Sequence, residues 1–400
     1  MSGPMVGIKV LDMTSVFMGP YATQILAEYG ADVIKIESPS GDIVRQIGPA
    51  RHAGMGALFL QVNRGKRSIV LDVKLSEGRE ALLALAKQSD VLIFNLRPAA
   101  MARLGLSYDT VKAVNPRIVY VGAFGFGQDG PYADRPAYDD LIQGAVGLAS
   151  LPNRVNGAAP RYVPSAIVDR VVALAAVNAV AMALLHRERS NEGQSVEVPM
   201  FETMAHLLLG DHLYGHTFEP PIGGIGYPRL LAEDRRPYAT RDGYISALVY
   251  TDRHWAAFFD IIARPELKQD ARFRDMGCRT KHIKDVYGFL AETLLTRDTA
   301  EWLRAFEAAD IPALPMHTLE SLLEDRHLQA IEFFKVVNHP TEGKIRQMRS
   351  PSTWSATPAS EIRPAARLGE HSRDILREVG YADAQIDAMI SSGVTLTPGG

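Results

Sequence analysis

Asp169 ends the apolar approach PSAIVDR and stands immediately before a long apolar segment, residues 171–185. A lone carboxylate at such a junction serves in one of two ways. It caps a helix, an interaction worth about 1 kcal/mol, or it is a nucleophile that carries a group through a covalent intermediate. An ordinary aspartate pKa of ~3.9 leaves it ionised at neutral pH without help from a base. Asp139, in the run AYDD, reads as a turn carboxylate. His186, His206, His212 and His216 do not pair at metal-ligand spacing with acidic or sulfur partners, so no metal is expected.

The elements that must position Asp169 alternate along the first third of the chain. Short apolar runs at residues 8–13, 31–37, 68–73, 91–95 and 118–123 predict strands. Helical spacing at 21–29, 77–88 and 110–114 falls between them, with Pro20 at a first helical position and Gly30 as a stop. Such alternation predicts a mainly parallel sheet covered by helices, with ligands at the carboxyl ends of the strands. After Asp169 the apolar pattern runs all round the helix, which predicts a buried helix. Residues 219–237 concentrate Pro, Gly and charge, including GGIG, and read as a linker or mobile loop. A second α/β region follows, with a strand at 244–250 and helices at 254–263, 286–295 and 299–309. Beyond residue 319 regularity is lost until a helix at 372–379.

The 400 residues, 46% of them hydrophobic, suffice for a large core and two or three domains. A net charge of −3 gives no electrostatic case for nucleic acid or an anionic membrane. One cysteine, Cys278, rules out an intrachain disulfide and fits a reducing compartment. The longest apolar run falls short of a bilayer span, and no basic segment with an apolar stretch opens the chain, so a cytoplasmic protein is expected.

Ten segments in order carry a resemblance: GIKVLDMTSVFMGP, GADVIKIESPSGD, NRGKRSIVLDVK, FNLRPAAMARLGL, NPRIVYV, FGFGQDGPYADRPAYD, RDGYISALVYTDRHW, PELKQDARFRD, AEWLRAFEAADIPALPMHTL and LGEHSRDILREVGY. With the segments around Asp169, AYDDLIQGAVGLAS and ALLHRERSNEGQSVEVPMFETM, the chain resembles the class III CoA-transferases, the formyl-CoA and carnitine type, over nearly its whole length. The resemblance implies an α/β fold, a Rossmann-like large domain with a smaller α/β domain, in a homodimer of subunits interlocked like linked rings. The large domain would take residues 1–206, a linker with a glycine loop 207–237, the small domain 238–311, a second linker 312–325, and the return to the large domain 326–400.

The same resemblance assigns roles. Asp169 would attack a thioester carbonyl, forming a mixed anhydride and releasing CoA thiolate, with an Asp-linked CoA thioester along the way. Asp139 would take a second role, orienting an acceptor or influencing Asp169. Coenzyme A is then a substrate, beside small carboxylic acids, with no metal and no redox cofactor. Its contacts map onto Val16, Phe17, Leu71, Asp72, Val73, Lys74, Asn95, Leu96, Arg97, Arg103, Leu104 and Tyr138. Ser38 stands where relatives often carry an arginine, so one contact there is lost or supplied by a neighbour. Lys66, Arg67, Lys74, Arg97 and Arg103 fall near strand ends, where cations hold phosphate oxygens, although such charges are more often solvated. Gly223, Gly224 and Gly226 match the family's glycine loop, a cover over the intermediate, though the full glycine run is missing and a plain linker reads equally well. Arg154 and Arg161 precede Asp169 in the stretch that lines the acyl pocket in relatives, and two cations there favour an acceptor with a second carboxylate, of C4 or C5 length.

Other readings stand beside this one. The α-methylacyl-CoA racemases share the family and use a histidine just before AYDD, where this chain has Ala137 and Tyr138. Intramolecular CoA transfer within one dicarboxyl-CoA would look the same. From a different class, the βα start allows a nicotinamide dehydrogenase or a non-catalytic nucleotide-binding module; the dehydrogenase is disfavoured, because SVFMGP lacks the glycine spacing that lets pyrophosphate approach a helix, and the module requires Asp169 to be only a cap.

Overall fold

A computed structural model describes residues 2–359 and 362–398. Six strands form one parallel sheet: β1 (Lys9–Met13), β2 (Asp32–Glu37), β3 (Lys66–Val70), β4 (Val91–Phe94), β5 (Val119–Phe124) and β6 (Gln194–Pro199). Their spatial order is β3-β2-β1-β4-β5-β6, all pairs parallel, which is the doubly wound order with its reversal between β1 and β4. The first five strands are buried along nearly their whole length because helices cover them. One face packs Leu11, Ile34, Ile69, Leu92 and Tyr120 against Leu82, Leu85 and the C-terminal Ile375 and Ile386. Residues from both ends of the chain thus share one core.

Strand β3 begins two residues earlier than its apolar run predicts, so Leu71 to Lys74 lie just beyond its carboxyl end. The helix Ile167–Ser190 is long and apolar enough to cross a membrane by length and composition. It is not buried all round as expected. Val168, Val172, Ala176, Val180 and Ala183 face inward, whereas Leu174, Met182 and Leu185 are exposed. The region beyond residue 319, read as irregular, contains an antiparallel hairpin, Phe334–His339 with Gly343–Met348, and a last helix at Asp383–Ser391.

The chain divides into two compact units, one of Met1–Val146, Tyr162–Leu207 and Ile331–Gly400, the other of Gly147–Arg161 and Leu208–Ala330. The span 1–206 expected in the large domain is therefore interrupted, since Gly147–Arg161 packs with the second unit. That unit has a small antiparallel sheet, Tyr238–Ala239, Tyr244–Ala247 and Ala313–Pro315, over an aromatic core of Trp255, Phe258, Phe259, Trp302 and Phe306.

Candidate active site

The helix carrying Asp169 has Ala166 at its N-cap, with no side-chain cap, and Asp169 sits within its first turn. The capping role read as an alternative for Asp169 belongs instead to Asp139. Its Oδ2 accepts the backbone N–H of Asp169 at 3.0 Å, and its Oδ1 accepts Nε2–H of Gln143 at 2.6 Å. Gln143, fully buried, also accepts Val163 N–H at 2.8 Å, so one amide ties Asp139 to the strand of chain that leads into Asp169. Asp139 and Gln143 lie one turn apart on the helix Asp139–Ala145. That spacing is in the sequence, but Gln143 carries no charge to draw attention.

Asp169 is 9% exposed. Burial, reinforced by the Asp139 carboxylate and opposed by the Arg170 guanidinium, pushes its pKa up to about 7. The expectation of an ordinary, fully ionised aspartate is corrected: desolvation and a like charge make this carboxylate reluctant to ionise and correspondingly more basic. Arg170 is itself stacked over Tyr21, 4.2 Å from the ring centroid.

Asp169 lines a cleft of about 270 Å³ at the carboxyl ends of β1, β4 and β5. Val16, Phe17, Asn95, Leu96, Arg97 and Tyr138, all CoA-contact candidates, line it too. Through Ser15 and Leu96, which wall both, it adjoins a cavity of about 580 Å³. The remaining candidates, Ser38, Leu71, Asp72, Val73, Lys74, Arg103 and Leu104, line this second chamber. Both chambers open where the strand order reverses, the place a doubly wound sheet offers a ligand.

The turn between them is strained. Val16 has φ +70°, a β-branched residue in the left-handed region that favours glycine. Side chains hold it there: Asn95 accepts Ser15 N–H at 3.1 Å and donates to Ser15 O at 2.8 Å, and Asp42 accepts Val16 N–H at 3.1 Å. Gly125, on the cleft wall, is required for another reason, since a Cβ there would meet Ala137 Cβ at 2.4 Å.

The candidate cations separate into two groups. Lys74 and Arg103 line the larger chamber and make no ion pair among the described residues. Lys66 and Arg67 cannot serve a ligand. They lie at the amino end of β3, where Lys66 Nζ is buried on Asp12 Oδ2, Pro20 O and Asn63 Oδ1, and Arg67 is paired with Asp32 and Glu378. Arg97 lies at the Asp169 end, where its Nη1 donates to Asp134 O. Arg135, overlooked in the sequence, lines the same cleft and stacks on Tyr132.

Arg154 and Arg161 belong to the second unit. There Arg154 Nη1 donates to Ile225 O at 3.3 Å, inside the segment of Gly223, Gly224 and Gly226. Gly226 needs its missing side chain, having φ +102°. Gly223 is approached so closely by Gly215 that a Cβ on the latter would clash with its backbone at 2.5 Å. Among the described residues no cluster of three His, Cys, Asp or Glu is arranged to hold a metal.

Comparison with known proteins places these features in a family context. The sequence model of CoA-transferase family III matches residues 5–372. The succinate–glutarate CoA-transferase of Agrobacterium fabrum is 32% identical over 386 residues, spanning 94% of this chain and 96% of that protein. The formyl-CoA:oxalate CoA-transferase of Afipia carboxidovorans is 30% identical over 413 residues, spanning 97% and 96%. Among solved structures, a CaiB/BaiF family protein from Brucella suis is similar with a TM-score of 0.79 and 28% identity, covering 95% of this chain and all of that one.

Proposed function

The chain belongs to CoA-transferase family III, and from that premise we propose that it moves CoA from an acyl-CoA donor to a small carboxylic acid through an anhydride on Asp169. One observation carries the reading: a buried, basic carboxylate stands in a cleft that adjoins a larger chamber with two unpaired cations. CoA phosphates would rest against Lys74 and Arg103, and the pantetheine arm would pass Ser15 and Leu96 toward Asp169.

The steps balance without a cofactor. An Asp169 oxygen attacks the thioester carbonyl, the C–S bond breaks, and CoA leaves as thiolate. The thiolate attacks the Asp169 carbonyl carbon of the anhydride and expels the donor acid, leaving CoA on Asp169 as a thioester. The acceptor carboxylate attacks that thioester, forming a second anhydride and freeing the thiolate, which takes the acceptor's acyl carbon and restores Asp169. Ionised Asp169 opens the cycle, and its raised basicity makes it the stronger nucleophile. Asp139 and Gln143 hold the Asp169 backbone in place.

We extend the proposal to a dicarboxylic acceptor. The named substrates of the relatives above include succinate, glutarate and oxalate, and Arg97 and Arg135 supply cations in the Asp169 cleft itself. Shielding of the anhydride by Gly223, Gly224 and Gly226, and a substrate role for Arg154 and Arg161, rest on the family likeness. A cytoplasmic homodimer belongs to the same reading, supported by the exposed Leu174, Met182 and Leu185 of the Asp169 helix, a face that a second subunit would cover. Racemisation is disfavoured because, among the described residues, no histidine lines the Asp169 cleft to take up an α-proton.

The test is to incubate the protein with succinyl-CoA and a panel of mono- and dicarboxylic acids and follow new CoA esters by mass spectrometry. Exchange should fall at least about a thousandfold in Asp169→Ala while CoA still binds. Hydroxylamine should leave a hydroxamate at Asp169 during turnover. Undiminished exchange in Asp169→Ala, or deuterium entering the α-carbon from heavy water without any exchange between acids, overturns the reading.

A further inference from the structure

β2 carries a lysine in the middle of a buried strand. Its sequence DVIKIE sends Ile34 and Ile36 into the core shared with the C-terminal helices, and alternation turns Lys35 to the opposite face, level with Asp12 of β1. Lys35 is 1% exposed. An ammonium so placed persists only where its partners offset the lost hydration. Burial works against the charge, yet Asp12, Asp42 and Glu37 outweigh it and hold the lysine above its ordinary pKa. Lys35 borders the larger chamber, but its ammonium is committed to acceptors inside the protein.

Its two bonds fall on the ends of one turn. Nζ donates to Thr14 O and to Asp42 Oδ2, each at 2.9 Å. Asp42, 5% exposed, turns its other oxygen, Oδ1, to the backbone N–H of Val16 and of Val44, each at 3.1 Å. One ammonium thus fixes the carbonyl that enters the turn directly and, through a carboxylate, the N–H that leaves it. Between those points sits Ser15, which walls both chambers, and after it Val16 with its left-handed φ of +70°, a conformation that persists only under restraint. The chain then runs through Phe17 into the helix Met18–Glu28, and Phe17 and Met18 line the Asp169 cleft. We infer that Lys35 is a positioning residue for the proposed transfer, acting through the backbone: it sets the Thr14–Val16 turn and with it the passage by which the thioester carbon comes to Asp169. Lys74 and Arg103, the proposed phosphate anchors, bond to neither Lys35 nor Asp42, so affinity for CoA and alignment of its acyl end should come apart when Lys35 is lost. The kinetic consequence rests on the proposed function; the restraint on the turn does not.

Lys35→Met removes both bonds but strands the Asp42 charge. Lys35→Met/Asp42→Asn takes out charge and counter-charge together, leaves an amide oxygen for Val16 N–H, and serves if the single variant does not fold. In the full-length protein, amide hydrogen exchange of a peptide spanning residues 14–18 should quicken about tenfold or more, while that of β4 stays as in the parent. For the CoA ester, kcat/KM should fall by about thirty- to a hundredfold. The Kd of CoA, measured by calorimetry, should stay within about threefold of the parent. A lysine with only a structural role would lower the unfolding midpoint and leave kcat/KM of the folded enzyme where it was. The inference is overturned if a folded variant shows unchanged hydrogen exchange at residues 14–18, if its kcat/KM stays within about threefold of the parent, or if CoA affinity falls in step with kcat/KM. A parent that moves no CoA between acids overturns the proposed function alone, and hydrogen exchange then still decides whether Lys35 holds the turn.

Discussion

Asp12 and Asp169 are both aspartates withdrawn from water, and they reach opposite states. Burial works against the charge of each. At Asp12 the ammonium groups of Lys66 and Lys35, with the hydroxyls of Thr14 and Thr23, outweigh it and hold the carboxyl well below the usual carboxylate range. At Asp169 the Asp139 carboxylate adds to burial, the Arg170 guanidinium opposes them only in part, and the pKa rises to about 7. Depth therefore does not decide what a buried acid does; the sign of its neighbours does. The paired aspartate holds β1, β3 and the helix behind β1 together, and the other keeps a carboxylate that ionises reluctantly, the property the proposed reaction draws on.

The contrast can be broken from either side. The largest effect is expected in Lys66→Met, which strands the Asp12 charge and should cost about 3–5 kcal/mol in urea unfolding. Next comes Asp169→Asn, which should abolish exchange yet stabilise the fold. A carboxyl raised from 3.8 to about 7 in the native state penalises folding in a way that is absent below its unfolded pKa, grows as pH rises, and is complete above 7. The gain should approach an upper bound of about 4 kcal/mol at pH 8.5 and fall away to roughly zero only near pH 3. Equal gains at the two pH values would show that Asp169 is not repelled.

A smaller effect sharpens the comparison. In the parent enzyme kcat/KM for the donor should rise with pH about a midpoint near 7, the value Asp169 reaches in the fold. Asp139→Asn removes the like charge and should lower that midpoint, whereas Arg170→Gln should raise it. Movement in the same direction for both variants would remove Asp169 as the titrating group. The least effect is expected in Val16→Gly. Relief of the left-handed strain should add about 1 kcal/mol of stability, while the looser turn raises KM for the CoA ester.

The parallel sheet was legible because the first five strands are apolar runs bounded by turn residues, and burial on both faces demands such runs. Strand β6 was not, since QSVEVP alternates with polar residues and sits in the partly exposed outer position. The hairpin of Phe334–His339 with Gly343–Met348 was hidden by the Lys, Asn, His, Arg and Gln distributed along it. Asp169 and the residues at the strand ends were visible through motif order. Lys66 and Arg67 misled because their partners, Asp12 and Asp32, are remote in sequence and become neighbours only when β1, β2 and β3 align. The basicity of Asp169 was unreadable for the same reason: it arises from burial and from Asp139, neither of which a linear pattern expresses.

Ser15 and Leu96 form a shared wall between the two chambers of the proposed site. A ligand anchored at Lys74 and Arg103 is thereby gripped far from the carbon that reacts, and its length becomes a criterion for admission. A short thioester could diffuse to Asp169, but without the distant anchor it would sacrifice turnover along with affinity, because remote attachment is what orients the reacting bond.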